Sequence, residues 1–292
     1  MTPFFLKAFF RVASSLPDGL AIALGCALGW FFDRVLHWRR RRITAHLALA
    51  FPELDAAALA RRRTAVYRHF GLLALELIRL PGLTAAQLLA RTEIRGGEHL
   101  EAAQARGKGV LILGAHEGCW ELGLAGASRR GYPVHVILKE VRGRVGQQAI
   151  DIIRGAHGVC GVSRRGSVFQ LLRLLKRKAL IGFVLDQNMT ADEGIFVDFF
   201  GRAACTMPGL AVLAQRTGTP VVPISFHRDE TLRRQVLTLF PEVPWEAPPG
   251  LELAAVIRHN TQRYTRIIEE QIRAHPEQWI WMHNRWKTRP PA

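Results

Sequence analysis

The chain has 292 residues, 49% of them hydrophobic, which allows one large domain with a substantial core. Its 40 Lys and Arg against 24 Asp and Glu give a formal charge of +16, a field that draws anionic partners: nucleic acid, an anionic bilayer, an acidic protein or a lipid phosphate. Nucleic acid is disfavoured because no zinc-finger spacing and no aromatic RNP-like strand occurs. The four cysteines, Cys26, Cys119, Cys160 and Cys205, are scattered and form no C-x-x-C pair, which fits reduced thiols facing the cytosol and not a secreted disulfide framework. Nor do Cys119, Cys160 and His116 have metal-ligand spacing.

In chain order, residues 19–32 form an uncharged run bounded by Asp18 and Asp33. At about 1.5 Å per residue a helix of that length falls short of a ~30 Å hydrocarbon core. A signal peptide fits poorly, since an arginine block follows in place of a small-residue cleavage site. Two readings stay open. The run combines with the apolar patch at residues 4–12 into an anchor that spans with snorkelling or lies in the interface, or it is a buried core helix. The block Trp38-Arg39-Arg40-Arg41-Arg42 favours the membrane, on its cytoplasmic side. Residues 1–45 are therefore expected to be a membrane-associating segment and 46–292 the main domain.

Residues 55–79 carry Val66, Phe70, Leu73 and Leu77 at helical spacing. A break at Pro81-Gly82 follows. Strands are then predicted at 109–113, 134–138, 179–185 and 220–226. Helices are predicted at 118–129, 146–156, 167–178, 207–217 and 252–274. Residues 234–239 are expected to pair antiparallel at a sheet edge. The alternation predicts an α/β fold with a mixed, mostly parallel sheet flanked by helices.

The stretch GVLILGAHEGCWELG, residues 109–123, holds the chemistry. Its strand ends at Gly114, His116 lies in the turn and Glu121 in the first turns of the next helix. Sites in open α/β sheets collect at the carboxyl ends of strands. Imidazole suits a base that takes a hydroxyl proton, and a carboxylate on its other nitrogen fixes the tautomer. Five residues across a turn are enough to bring Glu121 back to His116. A second carboxylate, Glu117, either raises the pKa of His116 or points into solvent. By itself His-x4-Glu is a weak signal, and a lone histidine at a strand end is more often structural. Trp120 stands where H-E-x-x-H needs its second histidine, and residues 161–165 miss the last glycine of G-x-S-x-G.

Further motifs give the pair its context: Trp120-Glu121-Leu122-Gly123, Leu185-Asp186-Gln187, Val197-Asp198-Phe199-Phe200-Gly201-Arg202, then Thr206, Pro208 and Gly209, Thr217, and Pro220-Val221-Val222-Pro223. The last runs from Pro276-Glu277-Gln278-Trp279 to Trp286-Lys287. In this order the sequence resembles the lipid A biosynthesis acyltransferases, the lauroyl/myristoyl transferase branch of the lysophospholipid acyltransferase superfamily. The resemblance implies that His116 is the general base, Glu121 its orienting partner and Arg154 an oxyanion stabiliser near the thioester carbonyl. Asp186 and Gln187 would position a headgroup or cap a turn. Phe199, Gly201, Arg202, Thr206 and Arg164 would contribute to substrate binding.

The implied reaction moves a fatty acyl chain from an acyl-carrier thioester onto a hydroxyl of a lipid A precursor, without metal or prosthetic group, at the cytoplasmic face of the inner membrane. The donor would be an acidic acyl carrier protein or acyl-CoA, and the acceptor an anionic glycolipid. Basic patches at 39–42, 164–165 and 176–178 would serve either partner or the bilayer. Rival readings are another acceptor of the phosphatidylinositol mannoside or ornithine lipid type, a membrane-bound thioesterase or lipase, and a non-catalytic lipid-binding protein. The sequence departs from the family at Glu117-Gly118-Cys119 and in its short amino-terminal apolar run.

Overall fold

The computed structural model describes residues 3–132, 134–138, 143–163 and 167–291. The amino-terminal part is helical: α1 (Pro3–Ser14), α2 (Asp18–Arg34), α3 (Arg40–Ala50), α4 (Ala56–Arg79) and the short α5 (Ala85–Ala90). Local chemistry explains several starts. Asp55 caps α4 by accepting from the Ala58 N–H at 2.6 Å. Thr84 and Gln87 form a reciprocal capping box on α5.

The layered part follows: β1 (Thr92–Arg95), α6 (Gly97–Ala105), β2 (Val110–Gly114), α7 (Trp120–Arg129), β3 (Val134–Leu138), α8 (Arg144–Gly155), β4 (Cys160–Ser163), α9 (Ser167–Lys176) and β5 (Leu180–Val184). Then come β6 (Ile195–Phe199), β7 (Arg202–Thr206), α10 (Gly209–Thr217), β8 (Val221–Arg228), β9 (Gln235–Leu239) and α11 (Leu253–Ala274). Among the described residues the main sheet runs β1-β9-β8-β2-β5-β3-β4, parallel except where β8 meets β9.

This is the expected α/β architecture with a mostly parallel mixed sheet. One detail differs: residues 235–239 do pair antiparallel, but β1 adds to them in parallel, so β9 is not the edge. The β6–β7 hairpin lies outside the strands that the sequence predicts. Its two-residue turn puts Phe200 and Gly201 at φ 54° and 72°, the primed-turn geometry, with the Phe200 ring packed on Phe51 and Trp281. A bulky side chain at positive φ is held there by tertiary packing.

Leu111, Leu113, Ile181 and Phe183 fill one face of the sheet under α9, α10 and α11, in the largest apolar cluster. Ile43 and Leu47 of α3 join that cluster. The amino-terminal helices are fastened by close backbone contact. A Cβ on Gly71 of α4 would lie 2.0 Å from the Gly25 oxygen of α2, and one on Gly29 would lie 2.3 Å from the Tyr67 oxygen. Further along the same two helices, Asp33 takes Arg63 at 3.3 Å and the Thr64 hydroxyl at 2.9 Å. Arg39 and Arg42 both donate to the Met282 carbonyl, so half of the basic block ties the amino-terminal helices to the carboxyl-terminal segment.

Among the described residues no single helix is long and apolar enough to cross a membrane. Residues 5–14 and 18–34 satisfy that test only as a pair bent by 111°.

Gly71→Val should separate α2 from α4 and destabilise the protein by about 1–3 kcal/mol, the usual range for overpacking. Thermal and urea melts measure it. Gly97→Ala, where an added Cβ meets nothing within 4 Å, should leave the midpoint unchanged.

Candidate active site

Two neighbouring parallel strands assemble the site. Gly114 at the end of β2 pairs with Val184 at the end of β5. His116 and Asp186 each follow two residues later, so the register itself brings them side by side. His116 Nδ1 lies 2.9 Å from one Asp186 oxygen. The other oxygen accepts from the His116 backbone N–H at 2.9 Å and from Trp279 Nε1 at 2.8 Å.

Burial works against ionising Asp186. The charge of the imidazole and the three hydrogen bonds, one of them from that imidazole, outweigh it, and the carboxyl is held well below the usual carboxylate range. For His116, burial likewise opposes the charged form. The Asp186 carboxylate prevails and the imidazole pKa is raised above its ordinary value, with Glu121 adding to the effect and Arg154 opposing it. Because Nδ1 faces a carboxylate, it carries the proton and leaves the Nε2 lone pair available. Gln187 lies 3.3 Å from Nε2, and Trp120 meets the ring edge-on at 4.9 Å.

The imidazole's partner is thus Asp186, and the expected contact with Glu121 is not made. Glu121 sits in the first turn of α7 and faces α8, where Arg154 Nε and Nη2 bind the same Glu121 oxygen at 2.8 and 2.5 Å. Its carboxylate acts on His116 only at a distance. Glu117 takes neither course foreseen for it. It is 2% exposed, and burial, then the nearby Asp186, pushes its carboxyl well up, which keeps it neutral.

A small pocket of about 70 Å³ opens beside His116. Its floor comes from the sheet face opposite the main core: Ile112 and Gly114 of β2, Gly182 and Val184 of β5, Val136 of β3, Ile224 and Phe226 of β8. Side chains two apart on a strand, and those paired across strands, share a face. Gly182 pairs with both Ile112 and Val136, so the floor lacks a side chain at its middle. Trp120 and Leu124 of α7 roof it, and the Glu121–Arg154 pair stands in its wall with His116. An apolar cleft with a few convergent polar groups is a usual kind of ligand site.

The remaining expected site residues lie elsewhere. Phe199 is fully buried among Phe200, Trp279 and Trp286. Gly201 makes the hairpin turn and Arg202 is exposed at the start of β7. Thr206 is fully buried and accepts from Arg285. None of these four lines the pocket. Arg164 lies outside the described residues. Sequence reasoning missed Asp186 as the histidine's partner, Trp279 as that partner's donor, and buried Arg285, which holds the Gln187 and Cys205 carbonyls at 3.3 and 2.7 Å. The available signal was equal offset: an acidic residue two positions beyond one strand and a histidine two beyond its neighbour.

Comparison with known proteins gives the family. The family described as bacterial lipid A biosynthesis acyltransferase matches residues 1–288. The lipid A biosynthesis lauroyltransferase of Escherichia coli K12 is 26% identical over 94% of this chain and 88% of its own length. A lipid A biosynthesis acyltransferase of Haemophilus influenzae is 23% identical over 98% and 86%. A phosphatidylinositol mannoside acyltransferase of Mycobacterium tuberculosis is 26% identical over a shorter 72% of this chain and 66% of its own. With a family match across almost the whole sequence, this chain belongs to the bacterial lipid A biosynthesis acyltransferases and is an acyltransferase.

Proposed function

We propose that the protein transfers a fatty acyl chain from the thioester of an acyl carrier protein or acyl-CoA to a hydroxyl of a lipid A precursor, at the cytoplasmic face of the inner membrane. The observation that carries this reading is the His116–Asp186 pair opening onto an apolar pocket, in a chain whose family transfers acyl groups. The +16 charge supports an acidic carrier and a phosphorylated acceptor.

In the reaction, His116 Nε2 takes the proton of the acceptor hydroxyl as its oxygen attacks the thioester carbonyl. Asp186 stabilises the imidazolium that forms. Arg154, held by Glu121 in the pocket wall, supplies positive charge for the oxyanion. The tetrahedral intermediate collapses by breaking the C–S bond, and the imidazolium returns its proton to the departing thiolate. The acyl chain enters the apolar pocket with its carbonyl end beside His116. Attack by the acceptor is direct, with no acyl-enzyme.

Purified protein incubated with labelled acyl-carrier thioester and a panel of glycolipids tests the proposal. Acyl transfer to a lipid A precursor is expected. Label released only as free fatty acid would identify a thioesterase, and transfer only to a phosphatidylinositol mannoside would reassign the acceptor.

His116→Ala should lower turnover by about 10²–10⁴-fold with an unchanged circular dichroism spectrum. The base must be deprotonated to act, so kcat/KM should fall as pH drops through a pKa above the ordinary ~6.5 of histidine. Asp186→Asn removes the charge that raises this pKa. Its acidic limb should therefore move to lower pH while turnover falls, which a pH–rate profile would read.

Chain-length preference should respond to Gly182. An added Cβ there meets Val136 Cγ1 at 3.5 Å and the His135 carbonyl oxygen at 3.6 Å, both ordinary van der Waals distances, so a small side chain enters the pocket without a clash. Gly182→Val should raise KM for long acyl donors and spare short ones, measured as relative kcat/KM across a chain-length series.

A further inference from the structure

The first two helices are apolar on more sides than the protein covers. Leu6, Phe10 and Ala13 of α1 are buried, Phe10 in a cluster with Leu73 and Ile153. The opposite side shows Phe9 and Val12, 50% and 69% exposed. On α2, Ala21, Gly25, Gly29 and Asp33 are buried, while Leu24, Trp30 and Phe31 are 40–60% exposed. Of the 15 large exposed apolar side chains among the described residues, nine fall between residues 5 and 36. Isolated exposed apolar groups need no explanation, but nine in so short a stretch do. An apolar helix face in a soluble setting needs a cover. Exposed Lys7, Arg11, Arg34, Arg39 and Arg41 flank these faces, so the cover is itself anionic.

A span does not fit. A helix the length of α1 reaches only about 18 Å, and α2 turns away from it by 111°. Moreover, α2 lies along α4. Gly29 contacts the backbone of Tyr67 and Arg68, and Asp33 contacts Arg63. Carrying α2 through a bilayer would draw exposed Arg68 and the Asp33–Arg63 pair into hydrocarbon, which is costly.

We infer that α1 and α2 lie flat in the headgroup–acyl boundary of one leaflet of an anionic phospholipid bilayer, sinking Phe9, Val12, Leu24, Trp30 and Phe31 without crossing it. This deepens, and rests on, the membrane location proposed above. The attachment places the pocket near the lipid surface, because Phe10 of α1 shares an apolar cluster with Ile153, the neighbour of the pocket-lining Arg154 on α8. An acceptor anchored in the same leaflet would then present its hydroxyl to His116 while its own tails stay in the bilayer.

Flotation of the purified full-length protein with phosphatidylcholine vesicles, with and without phosphatidylglycerol, tests the inference. Binding is expected to be stronger to the anionic vesicles and to weaken with salt. The double variant Phe9→Ser/Val12→Ser should lose at least tenfold in vesicle affinity yet keep its turnover of detergent-dispersed acceptor. Quenching of Trp30 fluorescence, taken as the difference from Trp30→Phe, should be greater with lipids brominated near the headgroup than with lipids brominated near the chain end. Absence of flotation with either vesicle, or deepest quenching at the bilayer centre, would overturn it. Flotation with shallow quenching but no turnover in detergent would uphold the attachment and count instead against the acyl-transfer reading.

Discussion

The in-register parallel pairing of β2 with β5 is the constraint from which the site follows. Five successive residue pairs, from Val110–Leu180 to Gly114–Val184, set the strand ends level. Two residues beyond each end, the backbone delivers an imidazole and a carboxylate to one point. A one-residue slip would move every side chain of a strand to the other face. The same pairing places Gly182 opposite Ile112, so a single register sets both the His116–Asp186 contact and the shape of the pocket floor.

Around that point the protein handles its acids in different ways. Asp186 is ionised because three donors surround it, the imidazole among them. Glu121 is matched by Arg154, and Glu76 by buried Arg228 together with Gln235. Glu117 has no such partner, since neither of its oxygens makes a hydrogen bond, and burial keeps it protonated. An unpaired charge in a low-dielectric interior is costly, so each carboxyl is either compensated or neutral. The consequence for chemistry is that a single negative charge, that of Asp186, bears directly on His116.

The carboxyl-terminal segment acts as a clamp across this arrangement. Trp279 donates to Asp186, His283 accepts from the Asn188 N–H at 2.9 Å, and Arg285 binds the carbonyls of Gln187 and Cys205. From the other side Arg39 and Arg42 reach the Met282 carbonyl. Residues from both ends of the chain therefore hold the loop that carries Asp186 and Gln187. Precise placement of a base requires such outer support, because small displacements of the reacting groups are expensive in rate.

Local pattern determined much of this protein. Helical periodicity and the alternation of apolar runs were enough for the α/β class, for the strand ending at Gly114 and for His116 in its turn. The motif series was enough for the family. What local pattern could not determine was partnership. Glu121 is close to His116 along the chain, and chain proximity suggested contact, whereas Asp186, 70 positions away, makes it. Phe199 and Thr206 stand in a recognisable motif yet turn inward, because the β6–β7 hairpin packs on Trp279, Trp286 and Arg285. The fate of Glu117 depended on burial alone. Strand order, register and packing direction are properties of residues distant in sequence, so only the tertiary structure decided which carboxylate meets the imidazole and which face of the sheet is left open beside it.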